Sequence, residues 1–428
     1  MNDHNLTASP APFTPAVIAP TYNNDATLLD VLDRVKALRL PLIVVNDGAT
    51  DRTAPLLAAW LDKHRDGCTH VLTHPANQGK GRALRTGFAM ARQLGYTHAA
   101  TIDTDGQLDP EDILALLEQS QRRPLALVLG YRDEHTPDYP EQRKRGRRFG
   151  NLGVRMTCGR HVRDSQCGLR VYPLDLVEQT RCRAARYGFE NEIITRATWA
   201  GYPIAECPVR CRYLPPEQRV THYKTRRDTF RLLRLNLALM GRELLPWPHR
   251  RIIKVAPPPS RQRFRRSFTD WMSWFSPREL WRQIHHDVED RMGIAAGVTL
   301  GAFIACLPAY GYQTLLAIYM SRRLHLHPVA TLLGTYLSTP PINLGIWLVS
   351  IWLGHLLTTG QSYHLGDLKP LVQNTFHLSS VELGRVALEW ILGSILVGLA
   401  VAPPAFFATL WALTFVPVET ESTRDHET

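Results

Sequence analysis

The sequence predicts an α/β domain with a mostly parallel sheet, followed by an α-helical module suited to a membrane. Three observations predict this. Short apolar runs alternate with helical patterns from residue 16 to about residue 230, the pattern of βαβ units. Those runs end in acidic or polar loops, which a parallel sheet collects at its carboxyl edge, where such sheets bind ligands. Near residue 293 the composition turns apolar and stays so for most of the remaining chain.

Taken in order, Ala16-Val17-Ile18-Ala19 reads as a buried strand that stops at Pro20-Thr21-Tyr22-Asn23. A helix follows, with Leu28, Leu29, Val31, Leu32, Val35 and Leu38 on one side. Leu42-Ile43-Val44-Val45 is a second buried strand and ends in Asn46-Asp47-Gly48-Ala49-Thr50-Asp51. Leu56, Leu57, Trp60 and Leu61 mark the next helix, Val71-Leu72 the next strand, and residues 83–94 a helix after the loop 74–81. His98-Ala99-Ala100 then leads into Thr101-Ile102-Asp103-Thr104-Asp105-Gly106-Gln107.

In an extended segment alternate side chains point the same way, so Asp103, Asp105 and Gln107 converge. Hard oxygen ligands at that spacing suit Mg²⁺ or Mn²⁺, which in turn hold phosphate oxygens. A turn rich in Asp and Gly reads the same way; the other acid-bearing loops at the same edge favour the site.

The chain resembles glycosyltransferase family 2, in particular the dolichol- or polyprenyl-phosphate sugar transferases. The matching residues are Pro20-Thr21-Tyr22-Asn23, Asn46 to Asp51, Asn77-Gln78-Gly79-Lys80-Gly81, Asp103 to Gln107, Asp164-Ser165-Gln166-Cys167-Gly168-Leu169-Arg170 and Gly188-Phe189-Glu190-Asn191-Glu192. The resemblance implies a GT-A fold over residues 16–230, a UDP- or GDP-linked sugar donor, a divalent metal and inversion at the sugar carbon. It places Pro20, Tyr22, Asn23 and Asp47 around the nucleotide, with Asp51 either there or capping the following helix. Lys80 and Lys224 are implied at the diphosphate or sugar, with His222 and Arg226 near Lys224. Asp103, Asp105 and Gln107 become metal ligands, and Asp105 the leading catalytic candidate. Ser165 and Arg170 are implied at the acceptor phosphate. Glu190 and Glu192 serve as a base if the acceptor is a hydroxyl. A phosphate acceptor is already ionised and needs none, which leaves them to position other groups or pair with local arginines.

The basic stretch Arg143-Lys144-Arg145-Gly146-Arg147-Arg148 reads as a solvated face, a phosphate contact or a lipid contact. Residues 219–266 carry 14 Lys and Arg against two acids, interleaved with leucines and Trp247, the look of amphipathic helices on an anionic leaflet. Prolines 257 to 259 suggest a linker, and Trp271, Trp274, Phe275 and Trp281 an interfacial aromatic set. Residues 293–320 hold no charge across 28 positions, and residues 328–360 and 391–418 are equally free of Asp, Glu, Lys and Arg. Such runs are long enough to span a hydrocarbon core, although Pro308, Gly311 and Pro340-Pro341 interrupt them. Arg322-Arg323 between the first two leaves open whether the first run crosses or re-enters. This part resembles domain of unknown function 2062, on the broken apolar span, the Arg-containing turn and Ser338-Thr339-Pro340-Pro341-Ile342-Asn343.

The net charge of +11 has a membrane explanation, and no nucleic-acid module is visible. Seven cysteines without a CxxC pair argue for reduced thiols. Residues 1–15 contain no apolar signal segment. The domains expected are a disordered N-terminus (1–15), the GT-A domain (16–230), a basic juxtamembrane region (231–292), a transmembrane module (293–418) and a disordered tail (419–428). The expected protein is a multi-pass enzyme of the inner membrane with its catalytic domain in the cytoplasm. It transfers sugar to a polyprenyl phosphate; its partners are the donor, the lipid acceptor and anionic lipids, and a homo-oligomeric state stays open. The rivals are transfer to a hydroxyl acceptor of a glycolipid or polymer, disfavoured in its processive form by the lack of a Gln-x-x-Arg-Trp motif, and a non-catalytic membrane scaffold or transporter.

Overall fold

The computed structural model describes residues 12–133, 139, 141–212, 225–253, 290–309, 311–338, 342–361 and 380–415. Lys224 and His222, prolines 257 to 259, the tryptophans at 271, 274 and 281, Pro340-Pro341 and the tail from residue 419 lie outside these, and so does the side chain of Arg226. The chain divides into two compact units, Met1–Ala256 and Pro257–Thr428.

The first unit is built on a seven-stranded sheet of order β3-β2-β1-β4-β6-β5-β7. Its strands are β1 (Pro15–Thr21), β2 (Leu42–Asn46), β3 (Thr69–Thr73), β4 (His98–Thr101), β5 (Leu127–Arg132), β6 (Arg170–Pro173) and β7 (Ile204–Val209). Only β6 runs antiparallel to its neighbours β4 and β5, and the remaining pairs are parallel. The helices are α1 (Leu28–Ala37), α2 (Thr53–Lys63), α3 (Lys80–Gln93), α4 (Asp112–Arg122), α5 (Glu141–Cys158), α6 (Leu174–Thr180), α7 (Gly188–Ala200) and α8 (Thr225–Leu244).

Both sheet faces are covered, so the strands read as continuous apolar runs. Side-chain alternation divides each strand between two cores. Ile18, Ile43, Ala99 and Leu127 pack with Leu84 and Phe88 of α3, Val154 of α5 and Phe189 and Ile193 of α7. Val17, Val44, Ala100 and Val128 pack with Val31 and Leu32 of α1, Leu57 and Trp60 of α2 and Ile113 of α4.

The antiparallel strand positions the site. Because β6 is reversed, its first residue Arg170 pairs with Thr101, the last residue of β4. The motif from Asp164 to Arg170 therefore arrives at the same edge as Asp103 and Asp105. The turn after β2 is equally constrained. Gly48 has φ +68°, and a Cβ there would lie 2.4 Å from the Ala76 backbone, so this turn closes onto the loop before α3 only with glycine.

The second unit contains helices Arg291–Cys306, Gln313–Arg323, Pro328–Thr335, Ile342–Thr359 and Ser380–Ala412. The uncharged run 293–320 is thus two helices, broken where Leu307 adopts an extended conformation (φ −74°, ψ 148°) before Pro308. Two helical segments, Ile342–Thr359 and Gly384–Phe415, are long and apolar enough to cross a membrane by length and composition, and only 17% of each is buried. They meet backbone to backbone, since a Cβ at Gly354 would lie 1.7 Å from the Glu389 carbonyl oxygen and one at Gly393 would lie 1.6 Å from that of Ser350. Beside this contact the buried Glu389 carboxylate Oε1 meets His355 Nδ1 at 3.1 Å, Thr358 Oγ1 at 3.2 Å and Arg385 Nε at 3.0 Å. All seven cysteines are free thiols.

A side chain at the 354 contact has nowhere to go. Gly354→Val is expected to destabilise the helix pair by on the order of 3 kcal/mol through overpacking, read as a lowered unfolding midpoint of the full chain in detergent.

Candidate active site

A cavity of about 600 Å³ opens at the carboxyl edge of the sheet in the first unit. The structure brings Pro20, Tyr22, Asn23 and Asp47 to its wall, together with Lys80, Asp103, Asp105 and Gln107. The loops carrying them are sewn together by short polar side chains. Asn23, in the left-handed region at φ 50°, receives the Thr50 N–H at 2.8 Å and donates to Thr50 Oγ1 at 3.2 Å. Asn24 donates to Thr104 Oγ1 at 2.9 Å, and Thr27 donates to the Thr104 carbonyl at 2.6 Å. The first, second and fourth strand-end loops therefore move as one body.

Asp47, expected at the nucleotide, has its carboxylate engaged within the chain. It meets His74 Nδ1 at 2.7 Å and accepts the Gln78 and Gly79 N–H groups at 2.9 and 2.7 Å, which fixes the loop leading into α3. Asp51 lies outside the cavity wall and takes the capping alternative, receiving Thr53 N–H at 2.9 Å and Asp25 N–H at 3.4 Å. Cβ atoms at Gly79 and Gly81 would collide with Ala185 O and Ala184 O, both at 2.7 Å, so the glycines admit the loop before α7.

Lys80, the first residue of α3, reaches across to Asp103 Oδ1 at 2.7 Å and to Glu190 Oε1 at 2.6 Å. Burial alone would lower its pKa, but the two carboxylates outweigh that and hold the ammonium firmly charged. From the other side Asp103 rests on Gly168, where a Cβ would lie 2.2 Å from Oδ2. Asp105 accepts the Gln107 N–H at 3.0 Å and its side-chain amide at 2.7 Å, while Gln107 Oε1 receives Arg143 Nη1 at 2.6 Å. Burial, and then the neighbouring Asp103 charge, push Asp105 up to about 6.

Arg170 and Ser165 lie away from the expected place, while Glu190 and Glu192 take the alternative left open above, pairing with local cations. Arg170 is fully buried and spends its donors on carbonyls, Nε to Cys167 at 2.7 Å, Nη1 to Glu190 at 2.9 Å and Nη2 to Ser165 at 2.7 Å. Ser165 is also fully buried and absent from the cavity wall. Glu192 accepts the Arg183 and Ala184 N–H groups at 2.8 and 2.7 Å and pairs with Arg196 at 2.6 Å, so it holds the loop before α7. Glu190 is bound by Lys80 at 2.6 Å and is absent from the cavity lining.

Cations take the places expected of Ser165 and Arg170. Arg132 at the end of β5, Arg143 on α5, Arg186 before α7 and Arg227 and Arg231 on α8 all line the cavity. Arg132 is aimed by the buried Asp164, which receives its Nε at 2.7 Å and Nη2 at 3.1 Å and stands 3.7 Å from Arg147. Burial opposes the Asp164 charge, but these arginines keep its pKa below the usual carboxylate range. The motif led by Asp164 thus orients a guanidinium from another strand. Sequence pattern could not announce Arg132, because it closes an ordinary strand 32 residues earlier. Arg186 sits beside a motif, which is the one signal that could have found it. Two further lining atoms, Thr21 Oγ1 and Asn77 Oδ1, are buried without a hydrogen-bond partner, as polar atoms awaiting a ligand are.

Among the described residues no cluster of three or more His, Cys, Asp or Glu is placed to hold a metal. Asp103 and Asp105 with Gln107 nevertheless suit Mg²⁺ or Mn²⁺ whose remaining ligands come from phosphate oxygens. Asp105 faces an amide where a cation would serve it better, and Gln107 would turn its carbonyl oxygen inward.

The Arg170 correction is testable. Arg170→Met is expected to cost about 3 kcal/mol of stability, because it leaves three buried carbonyls unpaired, seen as a lowered unfolding midpoint. Loss of ligand binding with unchanged stability would return the guanidinium to the site.

Residues 16–181 match the model of glycosyl transferase family 2, and residues 277–419 match that of an uncharacterized protein conserved in bacteria, DUF2062. A dolichyl-phosphate beta-glucosyltransferase of Dictyostelium discoideum is 26% identical over 216 residues, 45% of this chain and 65% of that one. An undecaprenyl-phosphate mannosyltransferase of Micrococcus luteus is 29% identical over 202 residues, 45% of this chain and 81% of that one. Among solved structures, glucosyl-3-phosphoglycerate synthase from Mycobacterium tuberculosis, in complex with Mn²⁺, UDP and phosphoglyceric acid, is 18% identical with a TM-score of 0.41, covering 53% of this chain and 78% of that one. Residues 16–181, on a mostly parallel sheet, are thus similar to glycosyl transferase family 2, and residues 277–419 are similar to DUF2062.

Proposed function

We propose that the protein transfers a sugar from a UDP- or GDP-linked donor to the phosphate of a polyprenyl lipid, with inversion, at the cytoplasmic face of a membrane. One observation carries the choice of a lipid phosphate. Helix α8 exposes an apolar stripe: Phe230, Leu233 and Leu237 are exposed at 67%, 44% and 56%, while Asp228, Asn236 and Glu243 are buried beside Leu239. Spacings of three and four place the exposed three on one stripe, and an exposed apolar stripe on a basic helix marks a lipid-facing surface. Arg227 and Arg231 on the same helix line the cavity. A lipid held along this stripe would present its phosphate to the cavity arginines.

The carboxylates agree with that acceptor. Glu190 and Glu192 are both engaged by local donors, and an ionised phosphate needs no base. One phosphate oxygen attacks the anomeric carbon; the bond from that carbon to the donor diphosphate breaks, and the nucleoside diphosphate leaves with the electron pair. A divalent cation held by Asp103, Asp105 and Gln107 supplies charge neutralisation for the departing diphosphate. Arg132, oriented by Asp164, and Arg143 bind phosphate with the fork geometry it favours. Thr21 and Asn77 offer polar contacts to the nucleotide, with Tyr22 beside them. The segments Ile342–Thr359 and Gly384–Phe415 anchor the enzyme in the bilayer as crossings.

The test incubates membranes holding the full chain with labelled UDP- and GDP-sugars, undecaprenyl phosphate and either Mn²⁺ or EDTA. Label is expected in an acid-labile lipid and should vanish with EDTA. Asp105→Asn and Arg132→Ala should each lower transfer by about 100-fold or more. Gly168→Ala, which pushes the Asp103 carboxylate aside, should lower it comparably while the protein stays folded. Label delivered to a hydroxyl acceptor instead would overturn the proposal, and the absence of donor binding would leave a membrane scaffold.

A further inference from the structure

The carboxylate site already contains a cation, the Lys80 ammonium. It lies 2.7 Å from Asp103 Oδ1 and 2.8 Å from Oδ2, and its third close contact is Glu190 Oε1 at 2.6 Å. On its far side the Asp103 carboxylate occupies the space a Cβ on Gly168 would take, so it packs closely between Gly168 and Lys80. Glu190 is itself fixed, since Arg170 Nη1 grips its carbonyl at 2.9 Å. An ammonium centred on both oxygens of a carboxylate stands where a divalent ion would have to sit. Two cations cannot share Asp103 at that range, because like charges a few ångströms apart repel strongly in a buried site.

The geometry points to an ion exchange: Lys80 is a resident counter-cation that excludes the divalent metal from Asp103 until a nucleoside diphosphate draws the ammonium away. This rests on the metal-dependent transferase reading and adds an order to it. Lys80 starts α3 and lines the cavity, so its flexible stem can swing from Asp103 to an incoming diphosphate while Glu190 still neutralises one side of it. The vacated Asp103 then joins Asp105 in holding the metal. Metal and nucleotide therefore bind cooperatively, and the cooperativity is reciprocal. A metal without nucleotide meets a site whose charge is already partly cancelled.

The experiment measures Mn²⁺ binding to the purified full chain in detergent, from the electron paramagnetic resonance signal of free Mn²⁺, alone and with UDP or GDP. Wild type is expected to bind weakly alone and more tightly with its nucleotide. Lys80→Met should bind Mn²⁺ alone at least about fivefold more tightly than wild type, the lower end of ordinary coupling between sites, and should lose most of the nucleotide effect. Lys80→Arg keeps a cation and should retain weak binding without nucleotide. Glu190→Gln leaves Lys80 on Asp103, and its nucleotide-free affinity should not rise. Wild-type binding strengthened by nucleotide, with Lys80→Met folded and unchanged in both affinities, would overturn the exchange and leave the transferase reading intact. Mn²⁺ bound by no variant, with or without either nucleotide, would overturn both.

Discussion

Carboxylate crowding at one edge of the sheet is the constraint from which the rest of the catalytic unit follows. Six acids gather there, and most are closed off by partners within the chain. Asp47 is met by His74 and two backbone N–H groups, Asp164 by Arg132 and Arg147, Glu192 by Arg196 and two more N–H groups. Asp103 and Glu190 share Lys80. Asp105 instead takes two donors from Gln107, and burial, then the Asp103 charge, raises its pKa. The Lys80 and Arg143 charges offset only part of that burial, and a cation from outside would offset more.

Topology explains why distant motifs meet. A strictly parallel sheet would carry the residues before β6 to the opposite edge from Asp103. Reversal of this one strand places Arg170 against Thr101 and lets Gly168 touch the Asp103 carboxylate. The same reversal puts Asp164 within reach of Arg132 at the end of β5. The glycines of the loop before α3 do comparable work by contact, admitting the 184–186 backbone that carries Arg186 to the cavity.

The sheet, its helices and the acid loops were legible because each is a local pattern. Val17 and Val44 announce buried strands by composition, and Asp103 to Gln107 announce converging ligands by spacing. Roles were less legible than places. Arg170 and Glu192 stand in a phosphate-like and a base-like motif, yet their partners are backbone groups that no spacing reveals. Arg132 could not be found because its importance comes from Asp164, a contact across 32 residues. In the second unit, composition located the apolar runs. It left open how the first is divided, and the extended Leu307 before Pro308 decides that.

The proposed lipid acceptor rests on how helix α8 distributes its side chains. On a helix at a water-facing surface, Phe230, Leu233 and Leu237 would turn inward and Asp228, Asn236 and Glu243 outward. Here the polar three are inside, each with a use: Asp228 pairs with Arg231 at 3.1 Å, Glu243 holds His249 at 2.7 Å, and Asn236 lies against Gly153. Burying those groups has a cost that the helix recovers only if its apolar stripe is also removed from water. A lipid surface does that, and it does so beside the arginines that would receive the acceptor phosphate. A hydroxyl acceptor on a glycolipid could use the same stripe, but it would need a carboxylate base, and Glu190 and Glu192 are already engaged by local cations.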